Sequence, residues 1–194
     1  MNPDPEDRTP SPTDDGPHQT GQEEGSSVIW SDPAFRLFVN SVVAVSTRDR
    51  ETVNAMSAEW CTPLSITPVL LGVLVGHSRW THTLIQRTWQ VGLSLLAEDQ
   101  AGVAHLLGDS SGRDHNKLNG NGLDWFLGPS LGLPLITGAA AHFECQVTAV
   151  HTVGDHDLIV VAPVWSGSAA NAKPLVYHRG RYFNLPEPLR KPPR

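Results

Sequence analysis

Positive charge, cysteine and long apolar runs are all scarce in this sequence of 194 residues. Charged residues make up 18% and the net charge is −6, which disfavours a nucleic-acid binder that works by neutralising phosphates. No apolar run reaches the roughly 18 residues of a membrane-spanning helix, and the N-terminus lacks the regions of a signal peptide. Two cysteines, Cys61 and Cys145, are too few for a disulfide framework. We therefore expect a cytoplasmic protein that binds neither nucleic acid nor membranes.

The negative charge is concentrated at the N-terminus. Residues 1–27 contain seven acidic residues and one basic residue, so they carry the whole net charge of −6. They also contain five prolines and none of Val, Ile, Leu, Phe, Tyr and Trp. Such a segment cannot bury enough apolar surface to offset the entropy lost on ordering. We predict a disordered tail over 1–27, one domain over 28–185 and an extended end over 186–194.

Runs of β-branched and apolar residues, separated by Gly, Pro and charged turns, predict about six or seven strands. Because these strands follow one another as hairpins, they favour a mainly β fold with short helices, a Greek-key-like antiparallel barrel. Pro163 removes a ladder donor, which predicts a bulge or an edge at that point. The predicted strands span residues 38–46, 53–60, 69–76, 91–96, 139–150, 158–164 and 174–185.

Two segments carry helix signals. Residues 79–89 follow Ser78, a good N-cap residue, and residues 98–107 begin with two acidic residues that suit a helix N-terminus. Residues 63–68, bracketed by prolines, are expected to be a connection. Residues 108–134 are rich in Gly, Asn and Asp and predict a long loop, which in a compact domain is usually functional or partly structured.

The usual nucleotide and metal motifs are missing. No strand is followed by Gly-x-Gly-x-x-Gly, and there is no Walker loop, so a Rossmann site and a P-loop are unsupported. The nine histidines do not fall at metal-ligand spacings. His77 with His82, and His151 with His156, are therefore interpreted as ordinary polar surface rather than as zinc sites.

One stretch does suggest a binding site. Ser78, Arg79 and Thr81 surround the start of the first predicted helix, where unpaired N–H groups, hydroxyls and a guanidinium would all favour a phosphate. The same residue types also occur at helix starts for capping alone, so the pattern by itself leaves both interpretations open.

The order of several short motifs over residues 34–185 resembles the flavin reductase-like family. These are FMN-binding split barrels that include the reductase components of two-component flavin monooxygenases. The matching segments are Ala58-Glu59-Trp60-Cys61-Thr62-Pro63-Leu64-Ser65-Ile66-Thr67-Pro68-Val69, Ser78-Arg79-Trp80-Thr81, Lys117, Gly132-Leu133-Pro134-Leu135, Phe143-Glu144-Cys145, Val153-Gly154-Asp155-His156 and Pro174-Leu175-Val176-Tyr177-His178-Arg179-Gly180-Arg181-Tyr182.

The resemblance implies a split barrel, a homodimer and a flavin near the dimer interface. It assigns the isoalloxazine ring to Ala58, Glu59, Trp60, Cys61 and Thr62, and the ribityl chain to Ser65. It assigns the phosphate to Ser78, Arg79, Thr81 and Lys117. It places His156 beside the flavin, where the nicotinamide would stack. For Trp60, packing in the core is an equal alternative to stacking near the ring, and for Cys61 packing is favoured over a redox thiol.

The expected activity is an NAD(P)H-dependent flavin reductase. Hydride would pass from NADH or NADPH to FMN, or to FAD, and reduced flavin would be supplied to a partner oxygenase. The sequence departs from the family pattern at Pro68-Val69, where a double proline is usual, and at Val161-Ala162-Pro163-Val164. Two alternatives therefore stay open: a flavoprotein with another redox partner or reaction, and a split-barrel binding module without flavin.

Overall fold

The computed structural model describes residues 32–119 and 122–188. The tail over 1–27 lies outside the described residues, as do residues 189–194 of the expected C-terminal end. Two α-helices lie in the described ranges, α1 (Trp80–Thr88) and α2 (Ala101–Asp109), preceded by a 3₁₀ turn, Pro33–Leu37. The strands are β1 (Asn40–Ser41), β2 (Val43–Asp49), β3 (Thr52–Ala58), β4 (Cys61–Ile66), β5 (Val69–Gly76), β6 (Gln90–Leu95), β7 (Trp125–Leu127), β8 (Pro134–Ile136), β9 (Ala141–Val153), β10 (His156–Ser168), β11 (Val176–His178) and β12 (Arg181–Phe183).

Seven of these strands form one antiparallel sheet in the order β3-β2-β6-β9-β10-β5-β4. Strands β5 and β6 follow one another in the chain, but β9 and β10 lie between them in the sheet. The connection through α1 is therefore a Greek-key crossing. Two small antiparallel sheets, β1-β11-β12 and β7-β8, complete the fold. The prediction of a mainly β, antiparallel fold with short helices is confirmed.

The long hairpin of β9 and β10 carries two irregularities. Its turn contains Gly154 at φ 61°, a left-handed conformation that glycine adopts without a Cβ penalty. The pairing register shifts between Pro163 and Trp165, where the proline cannot donate to the ladder. The bulge expected at Pro163 is therefore confirmed.

Apolar side chains pack on both faces of the large sheet. One cluster fills the barrel interior, because β-branched residues alternate inward along β2, β5, β6 and β10. The other cluster packs α2 and the strand ends against the outer face of β2 and β3. Members of the interior cluster include Val43, Val45, Val73, Val75, Ile85, Val91, Leu93, Cys145, Ile159 and Val161, and those of the outer cluster include Val42, Ala44, Ala55, Leu96, Ala104, Leu107 and Leu175.

Three strand predictions were wrong. Residues 61–66 form β4, paired with β5, although 63–68 was expected to be a connection. The loop expected over 108–134 contains β7. The single strand expected over 174–185 is the β11–β12 hairpin, which turns at Arg179 and Gly180 with φ of 52° and 78°. Short strands of this kind depend on a partner strand, which local propensity does not reveal.

Both helices begin later than predicted. Arg79, not Ser78, is the N-cap of α1, because a turn with Arg79 N bonded to Gly76 O at 3.0 Å delays the helix by one residue. Helix α2 begins at Ala101 because the backbone before it is used elsewhere: Glu98 N donates to Lys173 O at 2.9 Å. Of these two helices, neither is long and apolar enough to cross a membrane.

Candidate functional site

The connection between β3 and β4 meets the turn between β9 and β10. The ring centroids of Trp60 and His156 lie 5.0 Å apart, with the rings tilted at 48°. Two strand pairings hold this contact: Trp60 O accepts from Leu74 N at 2.9 Å, and His156 pairs with Gly76. A Cβ added at Gly76 would lie 3.3 Å from His156 Nε2, so a larger residue at this position would crowd the imidazole.

The imidazole of His156 is oriented by its neighbour in sequence. Its Nδ1 lies 2.7 Å from Asp155 Oδ1, and this hydrogen bond lowers the pKa of the Asp155 carboxyl. Because a carboxylate only accepts, Nδ1 carries the proton, and Nε2 is the acceptor of the neutral ring. The side chain of His156 is 26% exposed. A polar ring of fixed orientation therefore stands beside Trp60 at the surface.

The segment predicted to line the isoalloxazine runs along the edge of the sheet. Ala58 is buried, Glu59, Trp60, Cys61 and Ser65 are half-buried and Thr62 is exposed. Burial raises the pKa of the Cys61 thiol to about 11, so this sulfur is a neutral thiol that packs against the barrel interior. Backbone groups and partly covered side chains of this edge are thus available to a planar ligand.

The start of α1 gathers polar groups. Ser78 and Arg79 are exposed, whereas Thr81 is buried and accepts a hydrogen bond from Asn54 Nδ2 at 2.7 Å. Arg79 makes no side-chain cap in the described structure, and the first N–H groups of a helix have no intrahelical acceptor. Together they form a local positive end, which favours an anion.

Lys117 adds a second cation nearby. It is buried, and its Nζ donates to Leu107 O at 2.6 Å and to Ser110 O at 2.9 Å, near the end of α2. Burial, and then the charge of Arg79, lowers the pKa of Lys117 to about 8. Arg113 lies over the Trp80 ring, with its guanidinium carbon 5.2 Å from the centroid. Arg79 at the α1 N-terminus and Lys117 therefore repel one another, an arrangement that a phosphate group would stabilise.

A cluster missed in the sequence lies behind the His156 turn. Asp157 Oδ1 is 2.9 Å from His77 Nε2, and Asp157 Oδ2 is 2.7 Å from His82 Nε2. The interpretation as ordinary polar surface is wrong for His82, which is buried, whereas His77 is exposed as expected. A signal was present: strand alternation places Asp157 on the same face as the core residues Ile159 and Val161.

Comparison with known proteins identifies the family. Residues 35–186 match the model of the flavin reductase like domain. The chain is 32% identical over 158 residues to an NADH-dependent flavin reductase of Rhodococcus sp., covering 78% of this chain and 83% of that protein. It is 28% identical over 148 residues to HsaB, the reductase subunit of a flavin-dependent monooxygenase of Rhodococcus jostii, covering 76% of this chain and 73% of that subunit.

A solved structure agrees with these relatives. The NADH:FAD oxidoreductase SgcE6 of Streptomyces globisporus superposes with a TM-score of 0.74 at 25% identity, covering 79% of this chain and 90% of that one. The chain spans 62% of a further relative, an uncharacterized protein of Archaeoglobus fulgidus, with which it shares 34% identity over 110 residues. The fold is that of the flavin reductase split barrels, and the chain belongs to the flavin reductase-like domain family.

Proposed function

We propose that this chain is an NAD(P)H-dependent flavin reductase that uses FMN, with FAD as the alternative flavin. One observation carries the proposal: the pair of Trp60 and His156 places an aromatic ring and an oriented imidazole side by side at the edge of the barrel. The family supports the same activity, since relatives include an NADH-dependent flavin reductase and an NADH:FAD oxidoreductase.

The residues present fit a flavin with its phosphate. Ala58 to Thr62 offer backbone groups and the Trp60 ring to the isoalloxazine, and Ser65 lies on the same strand edge for the ribityl chain. Ser78, Arg79 and the α1 N-terminus would hold the phosphate, with Thr81 and Lys117 supporting them from buried positions. When bound, the flavin supplies the hydride and electron chemistry, and the protein supplies position and electrostatics.

The role of His156 is to orient the nicotinamide. Its Nε2 is an acceptor while Asp155 holds Nδ1, so it suits an N–H of the carboxamide. Hydride transfer from C4 of the nicotinamide to N5 of the flavin requires no general base in the protein. His156 is therefore proposed to act by positioning, and its loss should affect nucleotide binding more than flavin binding.

The proposal extends to partners. HsaB is the reductase subunit of a two-component monooxygenase, and we propose that this chain likewise supplies reduced flavin to a partner oxygenase. We also propose a homodimer, with the flavin near its interface.

Three measurements on the purified chain test the function. The visible spectrum shows whether flavin is retained, a titration with FMN and FAD gives the affinities, and oxidation of NADH and NADPH is followed with each flavin added. We expect nucleotide oxidation that depends on flavin. Flavin binding without oxidation of either nucleotide would favour a flavoprotein with another redox partner. If neither flavin binds, the binding-module alternative replaces the proposal.

A further inference from the structure

Three metal-ligating side chains converge beneath the β9–β10 turn. They come from three different elements: His77 follows β5, His82 lies in α1 and Asp157 lies in β10. Their ligating atoms all lie within 4.8 Å of one another. We call this group the His₂Asp cluster. It is separate from the residues assigned above to flavin and nicotinamide.

The cluster is held in place by its surroundings. The side chains of His82 and Asp157 are 8% and 7% exposed, and Thr152 Oγ1 donates to Asp157 Oδ1 at 2.9 Å. The β-ladder fixes Asp157 opposite Val75 on one side and opposite Thr152 on the other. Both imidazoles present Nε2 to the same carboxylate. The three ligating groups thus already lie together, with each imidazole on a different oxygen of the carboxylate.

We propose that the His₂Asp cluster binds a divalent transition-metal ion, with Zn²⁺ as the best match. Two imidazole nitrogens and one carboxylate oxygen are a donor set that zinc favours, and the fourth position would belong to water. His77 leaves that position open, because its side chain is 42% exposed. The ion would take the place of the two Nε2 protons that now bridge to Asp157; these protons would leave to solvent, and each neutral ring would carry its one proton on Nδ1.

The required movement is small. Bonds of about 2.0–2.1 Å to a tetrahedral ion bring ligand atoms to about 3.3 Å apart. The two contacts to Asp157 are already shorter than that, at 2.9 and 2.7 Å, but they go to different oxygens, so the carboxylate would turn one oxygen toward the ion and the two imidazoles would approach one another. Their ring centroids lie 5.4 Å apart, and the exposed His77 ring can move toward the buried His82.

A bound ion would join two parts of the proposed active site. His77 N donates to Asp155 O at 3.1 Å, and Asp155 orients His156. His82 lies one residue after Thr81, at the start of α1. The ion would therefore tie the helix start to the nicotinamide side. The proposed hydride transfer needs no metal, so the role proposed for the ion is to hold these elements together.

The test uses the full chain, free of affinity tag and stripped with a chelator. Zn²⁺ is titrated by calorimetry, and the melting temperature is measured with and without the ion. We expect one equivalent of Zn²⁺ per chain and a melting temperature that rises and saturates. His77→Ala should reduce the affinity at least tenfold. The matched control is His151→Ala, an exposed histidine of β9, which should leave binding unchanged.

Cobalt gives a second readout that needs neither flavin nor nucleotide. Co²⁺ in this site should show the visible bands of a four-coordinate ion without thiolate charge-transfer bands, which excludes Cys61 and Cys145 as ligands. The proposal is overturned if the wild-type chain binds no Zn²⁺, or if His77→Ala and His82→Asn bind it as the wild type does. A purely hydrogen-bonded cluster would give the first of these results. Because His77 is exposed, its variant keeps the test valid should His82→Asn fail to fold.

Discussion

Arg79 is the exposed cation at the start of α1, and its substitution tests the phosphate site. Arg79→Gln keeps the length of the side chain but removes the charge. A hydrogen bond to a charged group is worth about 1.5–3 kcal/mol, so FMN affinity should fall by about 10- to 100-fold. Riboflavin, which lacks the phosphate, should bind as before. Fluorescence titration with both ligands measures this difference.

Arg87 provides the control for that substitution. It is exposed and lies in the last turn of the same helix. Its guanidinium carbon lies 5.7 Å from the centroid of the Trp80 ring. Arg87→Gln removes the same charge from the other end of α1, so FMN affinity should not change. Equal effects of the two variants would mean that general charge, not a local site, attracts the flavin.

His156 tests the nicotinamide side. His156→Ala should raise the KM for NADH or NADPH and leave FMN affinity unchanged, because the proposed contact is with the nucleotide. Steady-state kinetics at saturating flavin and an FMN titration separate the two effects. His151→Ala changes an exposed histidine on the neighbouring strand and should alter neither quantity. A loss of FMN affinity in His156→Ala would move this histidine to the flavin site.

The lowered pKa of Lys117 predicts that the stability of the chain depends on pH. Burial, and then Arg79, lowers its pKa from 10.5 to about 8. Above pH 8 the folded chain releases this proton before the unfolded chain does, so the unfolded state binds more protons and the free energy of unfolding gains a positive slope with pH. The gain ends near pH 10.5, and below pH 8 both states are charged. Urea unfolding at several pH values should give a more positive slope for the wild type than for Lys117→Met, because the buried thiols of Cys61 and Cys145, whose raised pKa makes stability fall with pH, contribute equally in both chains.

Some contacts around the phosphate site can be predicted from the sequence, and others cannot. Ser78, Arg79 and Thr81 are close in sequence, so one helix start is enough to predict that they meet. Asn54 comes from β3, and its bond to Thr81 exists only because α1 packs on that sheet. Asp157 could be suspected from its place on a core face, but its two histidine partners could not. Contacts between distant segments require the topology.

Strand β4 illustrates the same limit at the level of elements. Its burial pattern does not alternate, since Thr62, Pro63 and Leu64 are all exposed, and Pro68 lies in the turn that follows it. Nothing in such a segment distinguishes an edge strand from a connection until β5 is beside it. The long apolar strands β5, β6 and β10 were predictable because their own residues require burial on the sheet.

Glu144 organises the loop between β7 and β8. This fully buried carboxylate accepts hydrogen bonds from Ser130 N, Leu131 N and Leu133 N, at 2.7, 2.9 and 3.1 Å. Gly128 packs directly against it, and a Cβ there would collide with the carboxylate carbon and oxygens. We therefore expect Gly128→Ala to destabilise the chain by about 1–3 kcal/mol, since overpacking displaces a buried hydrogen-bonded group.

Gly102 is the matched control for that loop. It lies in the first turn of α2, and a Cβ there meets nothing within 4 Å. Gly102→Ala should stabilise the chain by about 0.5–1 kcal/mol, because alanine is the better helix residue. Urea unfolding of both variants gives the comparison. A neutral Gly128→Ala would show that the loop can move without loss, and that Glu144 does not hold it rigidly.

At the scale of the whole molecule, charge is not what attracts the ligand. Acids and bases balance over residues 28–194, and residues 35–186, which match the family, carry a net charge of only −1. Long-range steering of a negatively charged nucleotide is then weak, and recognition depends on the local cations Arg79 and Lys117 and on the α1 N-terminus. Raising the salt concentration should therefore weaken FMN binding only by screening these few local groups.

The sheet edge formed by β4 offers the surface for the proposed homodimer. Three apolar side chains of the β4–β5 hairpin are exposed: Ile66 by 89%, Val69 by 57% and Leu64 by 45%. An uncovered apolar edge strand is prone to association, and β4 ends the seven-stranded sheet. The same strand carries Ser65, which the proposal places beside the flavin. Covering this edge with a second copy would bury the apolar groups and enclose the site together.

Ile66→Lys tests that arrangement. A charge at the most exposed of the three positions should shift the chain to a monomer in sedimentation velocity, because burying an unpaired ammonium at an interface is costly. If the interface also encloses the flavin, FMN affinity should fall in parallel with the dimer fraction. Leu127→Lys, at a 48% exposed leucine of β7, is the matched control and should change neither. A dimer that survives Ile66→Lys would place the interface elsewhere, and a monomeric variant with full FMN affinity would show that one protomer completes the site.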